Sequence, residues 1–206
     1  MHERLNFGLK LSFLGNILFI AFGVICFIFY KTYQPGTFLT SFLTFLAYTD
    51  EIAGFALLLM GDWLMATSMR FRTILKAAWT FYIILEAVMM VLELNSYKIE
   101  AYKPYSLAVA IIHSVISGFV CLSFLQFEKD NKKLEIKVII CISIMFAGML
   151  GNILGIRVYF SIIVNALAFV IMFQSIRSLV KHGDIEIDCH GDRARVAEYK
   201  SEFVDD

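Results

Sequence analysis

The side chains able to do chemistry are few, and they are set inside long apolar runs. Glu86 stands in Ile84-Leu85-Glu86-Ala87-Val88, with Glu93 seven residues further on the same helical face. His113, Asn152 and Asn165 interrupt three other apolar stretches, and Asp62 sits between Gly61 and Trp63. An ionisable group costs a few kcal/mol in hydrocarbon, so each one present is a functional candidate whose partner must be named. The two glutamates would offer negative charge to a cation, while the histidine and the asparagines would orient a ligand by hydrogen bonds.

The elements that carry these residues follow from the length of the apolar runs. At about 1.5 Å per residue, a helix needs about 20 apolar residues to cross a hydrocarbon core of roughly 30 Å. Six runs qualify, at about 11–30, 47–68, 77–94, 105–127, 138–156 and 159–180. Lipid offers the backbone no hydrogen-bond partner, so they must be helices, and runs such as Ile17 to Ile20 lack the alternation of a barrel strand. The sequence therefore predicts an all-α, polytopic membrane protein in which residues 1–180 form one six-helix transmembrane domain. Residues 181–206, rich in Asp and Glu, are expected to be a solvated cytoplasmic tail.

Orientation comes from the basic residues, which stay on the cytoplasmic side in short loops. Arg4, Lys10, Arg70, Arg72, Lys76, Lys129, Lys132, Lys133, Lys137, Arg177 and Lys181 fall at one set of ends, against Lys31, Lys98, Lys103 and Arg157 at the other. Both termini are thus expected to be cytoplasmic, in a cell or cytoplasmic membrane. The first span reads as a retained anchor, because its apolar run is about twice a signal-peptide core and no small-x-small site follows it. The 31 residues from Phe38 to Ser68 exceed one span; their start is either an interfacial helix or the outer part of one long tilted helix.

Depth along each span predicts which polar groups meet. Glu86 is ten residues from Lys76, hence about 15 Å deep and near the midplane. His113 and Asn165 each lie about eight residues in from the outer side, at roughly 12 Å. With Asp50, Glu51, Asn152 and Arg157 above them, they describe a polar chamber open to the outside, floored by Glu86 and His113 as a hydrogen-bonded pair or as two separately satisfied groups. Asp62, eight residues before Arg70, is expected on the cytoplasmic side, away from that cluster, with Asn16 as its partner.

Other features read as packing. Ala147, Gly151 and Gly155 form a small-xxx-small series suited to close helix contact, within the bundle first and with a partner chain second. Cys26, Cys121, Cys141 and Cys189 have no metal-ligand or redox spacing. No metal site, haem-binding pair, P-loop or dinucleotide fingerprint is found, and no cofactor is assigned. With 59% hydrophobic residues, 17% charged ones and 18 bases balancing 18 acids, the chain has neither a disordered composition nor the basic field of a nucleic-acid binder.

The stretch Tyr30-Lys31, Pro35, then Gly54-Phe55-Ala56-Leu57-Leu58-Leu59-Met60-Gly61-Asp62-Trp63-Leu64-Met65 resembles the YhhN family of membrane lysoplasmalogenases, with Gly151-Asn152 standing where a later Ser-Asp or Ser-Asn element would fall. The resemblance implies an integral membrane hydrolase of a lysolipid vinyl-ether bond, with Asp62 as its active-site acid. In size and span number the chain is also similar to the substrate-binding subunits of energy-coupling-factor vitamin importers. The residues themselves favour a protein that binds or translocates a small polar or cationic solute through Glu86, Glu93, His113, Asn152 and Asn165, with Glu86 as protonation switch if protons or cations cross. The alternatives are the hydrolase and a non-catalytic accessory subunit; membrane lipid is the one surrounding partner all three share.

Overall fold

A computed structural model describes residues 2–68, 73–96, 103–127, 132–154 and 158–182. These form six α-helices: α1 (His2–Thr32), α2 (Phe38–Ser68), α3 (Thr73–Ser96), α4 (Lys103–Ser123), α5 (Lys132–Ile153) and α6 (Val158–His182). No strand occurs among the described residues. Four helical stretches, Glu3–Thr32, Phe38–Ser68, Lys132–Gly151 and Tyr159–Ser178, are long and apolar enough to cross a membrane, and α4 contributes a shorter apolar stretch, Ala108–Ser123.

Helix limits follow local chemistry. Pro35 and Gly36 separate α1 from α2, and Gly36 takes the left-handed backbone conformation, φ 78°, that glycine adopts without a Cβ penalty. Thr37 then caps α2, its hydroxyl accepting from Thr40 N at 3.3 Å. From Phe38 to Ser68 the helix is unbroken, so the segment before Ala47 continues directly into the rest of α2. The fourth run departs from expectation at its end: α4 stops at Ser123, and Phe124–Phe127 form a 3₁₀ turn. Pro104 sits in the first turn of α4, where its missing N–H is no loss. The acidic tail beyond His182 lies outside the described residues.

Each helix packs against its neighbours in sequence, and α6 returns to α1, so the six close into a ring. The chain runs up and down, bringing the starts of α1, α3 and α5 together with the ends of α2, α4 and α6. At this end, which carries most of the described bases, the ring is filled by an apolar cluster that includes Leu5, Leu9, Met65, Trp79, Phe124, Val138, Met172 and Ile176, each at most 1% exposed. Trp79 lies edge-on to Phe124 at 5.8 Å, and Phe124 edge-on to Phe173 at 5.9 Å. The indole N–H of Trp79 donates to Ser123 Oγ at 3.1 Å. Arg177 Nε donates to Asn6 Oδ1 at 3.2 Å, tying the two described chain ends to one side of the bundle.

The outer surface is the reverse of a soluble protein's. Ile28, Phe45, Met60, Ile84, Val91, Phe119, Ile140, Leu150, Phe160 and Ile171 are all exposed, whereas Asn16, Glu51, Asp62 and Glu86 are buried. Many serine and threonine hydroxyls turn back to their own helix, as Thr44 to Thr40 O and Ser114 to Ala110 O, the partner that remains when water is excluded.

Close approach of α1 and α2 depends on glycine. A Cβ placed on Gly61 would lie 2.8 Å from both Gly8 O and Ser12 N, and one on Gly8 would lie 2.9 Å from Gly61 O. Gly15 faces Gly54 in the same way one heptad along. In α5 the residue against α6 is Gly148, not Ala147, which is exposed; Gly151 is buried, and Gly155 lies outside the described residues.

Candidate functional site

Above the apolar plug the ring opens into a central cavity of about 200 Å³ to which all six helices contribute. Its polar lining is Asn16 from α1, Asp62 from α2, Tyr82 and Glu86 from α3, His113, Ser114 and Ser117 from α4, and Ser161 and Asn165 from α6; Met145 of α5 completes the wall. Phe19, Phe22, Phe55, Phe169 and Phe173 surround these groups with rings.

At its centre Asp62 and Glu86, each 2% exposed, meet within hydrogen-bonding reach. Two carboxyls that close repel one another when both are ionised. Ser12 Oγ donates to Asp62 Oδ1 at 3.0 Å, and Asn16 Nδ2 donates to Ser12 O at 2.8 Å. The tight α1–α2 contact positions this support, because Gly61 precedes Asp62 and lies against the backbone of Ser12.

This arrangement corrects three expectations. Asp62 is not separated in depth from Glu86, and Asn16 reaches it only through Ser12, one helical turn earlier. The Cα–Cβ bond tilts toward the N-terminus of its helix, so in the oppositely directed α2 and α3 the two side chains lean toward one another and shorten the gap that a backbone count implies. Nor is His113 the partner of Glu86. Its ring stacks on Tyr82, with centroids 4.8 Å apart and planes at 22°, and the hydroxyl of Ser117 turns back to His113 O at 2.6 Å.

Among the described residues, the facing carboxyl oxygens Asp62 Oδ2 and Glu86 Oε2 and the buried atoms His113 Nε2, Ser161 Oγ and Asn165 Oδ1 have no donor or acceptor partner, although all five residues line the cavity. Buried polar atoms in native proteins are nearly always paired with protein, ordered water or ligand. Gly148 makes room for two of them, since a Cβ there would lie 2.7 Å from both Asn165 and Ser161. Of the other candidates, Glu93 and Asn152 lie outside the residues whose side chains are described, near the ends of α3 and α5. Glu51 is buried in a separate pocket.

Ser12, Tyr82, Ser117 and Ser161 were not among the sequence candidates. The signal was present: Ser12 and Asn16, Tyr82 and Glu86, His113 and Ser117, and Ser161 and Asn165 are four pairs at i, i+4, each placing two polar groups on one face of an apolar helix. No group of three or more His, Cys, Asp or Glu suited to a metal ion occurs among the described residues.

The fold and site thus define a closed six-helix ring, plugged at its basic end and holding a buried carboxyl pair in a cavity walled by aromatic rings. No protein-family model matches the chain, and neither the curated proteins nor the solved structures contain a match.

Proposed function

We propose that this chain is a six-span membrane protein, with both termini cytoplasmic, that binds or translocates one small cationic solute in the central cavity. The observation that carries this reading is the contact of Asp62 with Glu86 inside a ring whose outer surface is apolar. A pair with one proton has a net charge of −1, which a monovalent cation neutralises, and aromatic faces add cation–π attraction around it. A cavity of roughly 150 Å³ accommodates benzene, so about 200 Å³ suits a solute little larger than that. The plug closes the basic, cytoplasmic end, which favours access from the outer side.

Native mass spectrometry of gently extracted protein tests this. A small polar adduct is expected on wild type and lost when both carboxyls are removed in the Asp62→Asn, Glu86→Gln double variant; an adduct that persists there overturns the site, and no adduct in any form favours the accessory subunit.

The hydrolase reading draws on the same pair, since a neutral and an ionised carboxyl are the acid and base that hydrolysis of a vinyl ether requires. It expects Asp62→Asn to abolish release of aldehyde from a lysoplasmalogen with the fold retained. The cavity volume suits the small solute as a whole, whereas only the scissile end of a lysolipid would enter it.

A further inference from the structure

A second cavity, of about 170 Å³, lies between α1 and α2 on the side of their connecting turn. Its walls include Phe22, Cys26 and Phe29 of α1 and Thr44, Tyr48 and Glu51 of α2. Among the described residues, Glu51, 1% exposed, is the charged side chain lining it, and Phe22, Phe29 and Tyr48 supply aromatic walls. On α2, Glu51 precedes Asp62 by eleven residues, which is three helical turns, so the two carboxyls share a face about 16 Å apart along the axis. On α1, Phe22 is the one side chain that lines both this pocket and the central cavity, and it is 4% exposed. The helices are pinned together at Gly8–Gly61 and Gly15–Gly54, and the pocket opens where that glycine pairing ends.

We propose that this α1–α2 pocket is the entry station for the cationic solute of the central cavity: Glu51 receives it between aromatic walls, and Phe22 is the partition it passes to reach Asp62 and Glu86. The proposal rests on the central cavity's being a cation site. A buried carboxylate in an apolar pocket favours a cation over a neutral molecule of equal size, and displacement of one ring joins two cavities that already share it.

The test uses the full chain in detergent micelles, with mass spectrometry resolving each labelled residue. The first probes are a trimethylammonium methanethiosulfonate and a neutral methanethiosulfonate of similar size, timed at Cys26, which is partly exposed, whereas Cys121 and Cys141 are buried in the plug. The cationic reagent is expected to react several-fold faster relative to the neutral one, with the advantage falling to near parity in Glu51→Gln. The same ratio in both proteins overturns the role of Glu51.

The second measurement is labelling of Glu86 by dicyclohexylcarbodiimide, with tetramethylammonium as the protecting cation. Protection is expected in wild type, delayed several-fold once Cys26 is blocked, and hastened in Phe22→Ala; Phe22→Leu serves if the alanine variant does not fold. Protection that is equally fast with Cys26 blocked overturns the entry route while leaving the central site standing. Absence of protection in every form overturns the central site, and the entry station with it.

Discussion

The two halves of the bundle are built from the same six helices and pack in opposite ways. Toward the basic end, α1, α3 and α6 present Leu9, Trp79 and Met172 to one another in a filled apolar interior. Two turns along, the same faces present Asn16, Glu86 and Asn165, and the interior opens into a cavity. Replacing one or two residues per helix face therefore converts a structural plug into a site. The lower half fixes the ring, and the upper half has room to hold something because the lower half does not need it for stability.

Substitution should separate the halves. Trp79→Ala removes the largest side chain of the plug and its hydrogen bond to Ser123, and a loss of about 3–5 kcal/mol is expected, read as a lower unfolding midpoint in detergent. A loss below about 1 kcal/mol would show that the lower half is not the stabilising one. Gly61→Ala forces α1 from α2 at a backbone contact, with an expected cost of about 1–3 kcal/mol and displacement of Ser12 from Asp62. Gly148→Ala is milder, about 1 kcal/mol, because the groups it meets are the tips of Asn165 and Ser161, which can turn into the cavity. Its larger expected effect is weakened retention of the native-mass-spectrometry adduct, which would sharpen the contrast between packing and binding.

The helical architecture was legible in hydropathy because the apolar runs are long and have evident boundaries, as at Pro35-Gly36, although only four of the described stretches are long and apolar enough to cross a membrane. The contacts that position the site were less so. Gly8, Gly15, Gly54 and Gly61 act as pairs across two helices, and neither spacing is the small-xxx-small interval that drew attention to α5. Glu86 stood out because it is charged; its partner did not, because a count of residues from the loop gives the height of a backbone and not the reach of a side chain. The serines were hidden for another reason: a hydroxyl can satisfy itself on its own helix, so a single serine in a span signals nothing until its i+4 neighbour is read with it.

Infrared difference spectroscopy tests most directly whether Asp62 and Glu86 share a proton in a cation site. A neutral-carboxyl stretch is expected in wild type, shifting when tetramethylammonium is added. That band should be missing from Glu86→Gln, where the new amide donates to an ionised Asp62. A wild-type spectrum matching that of Glu86→Gln in this region, or a band indifferent to the cation, would contradict this reading.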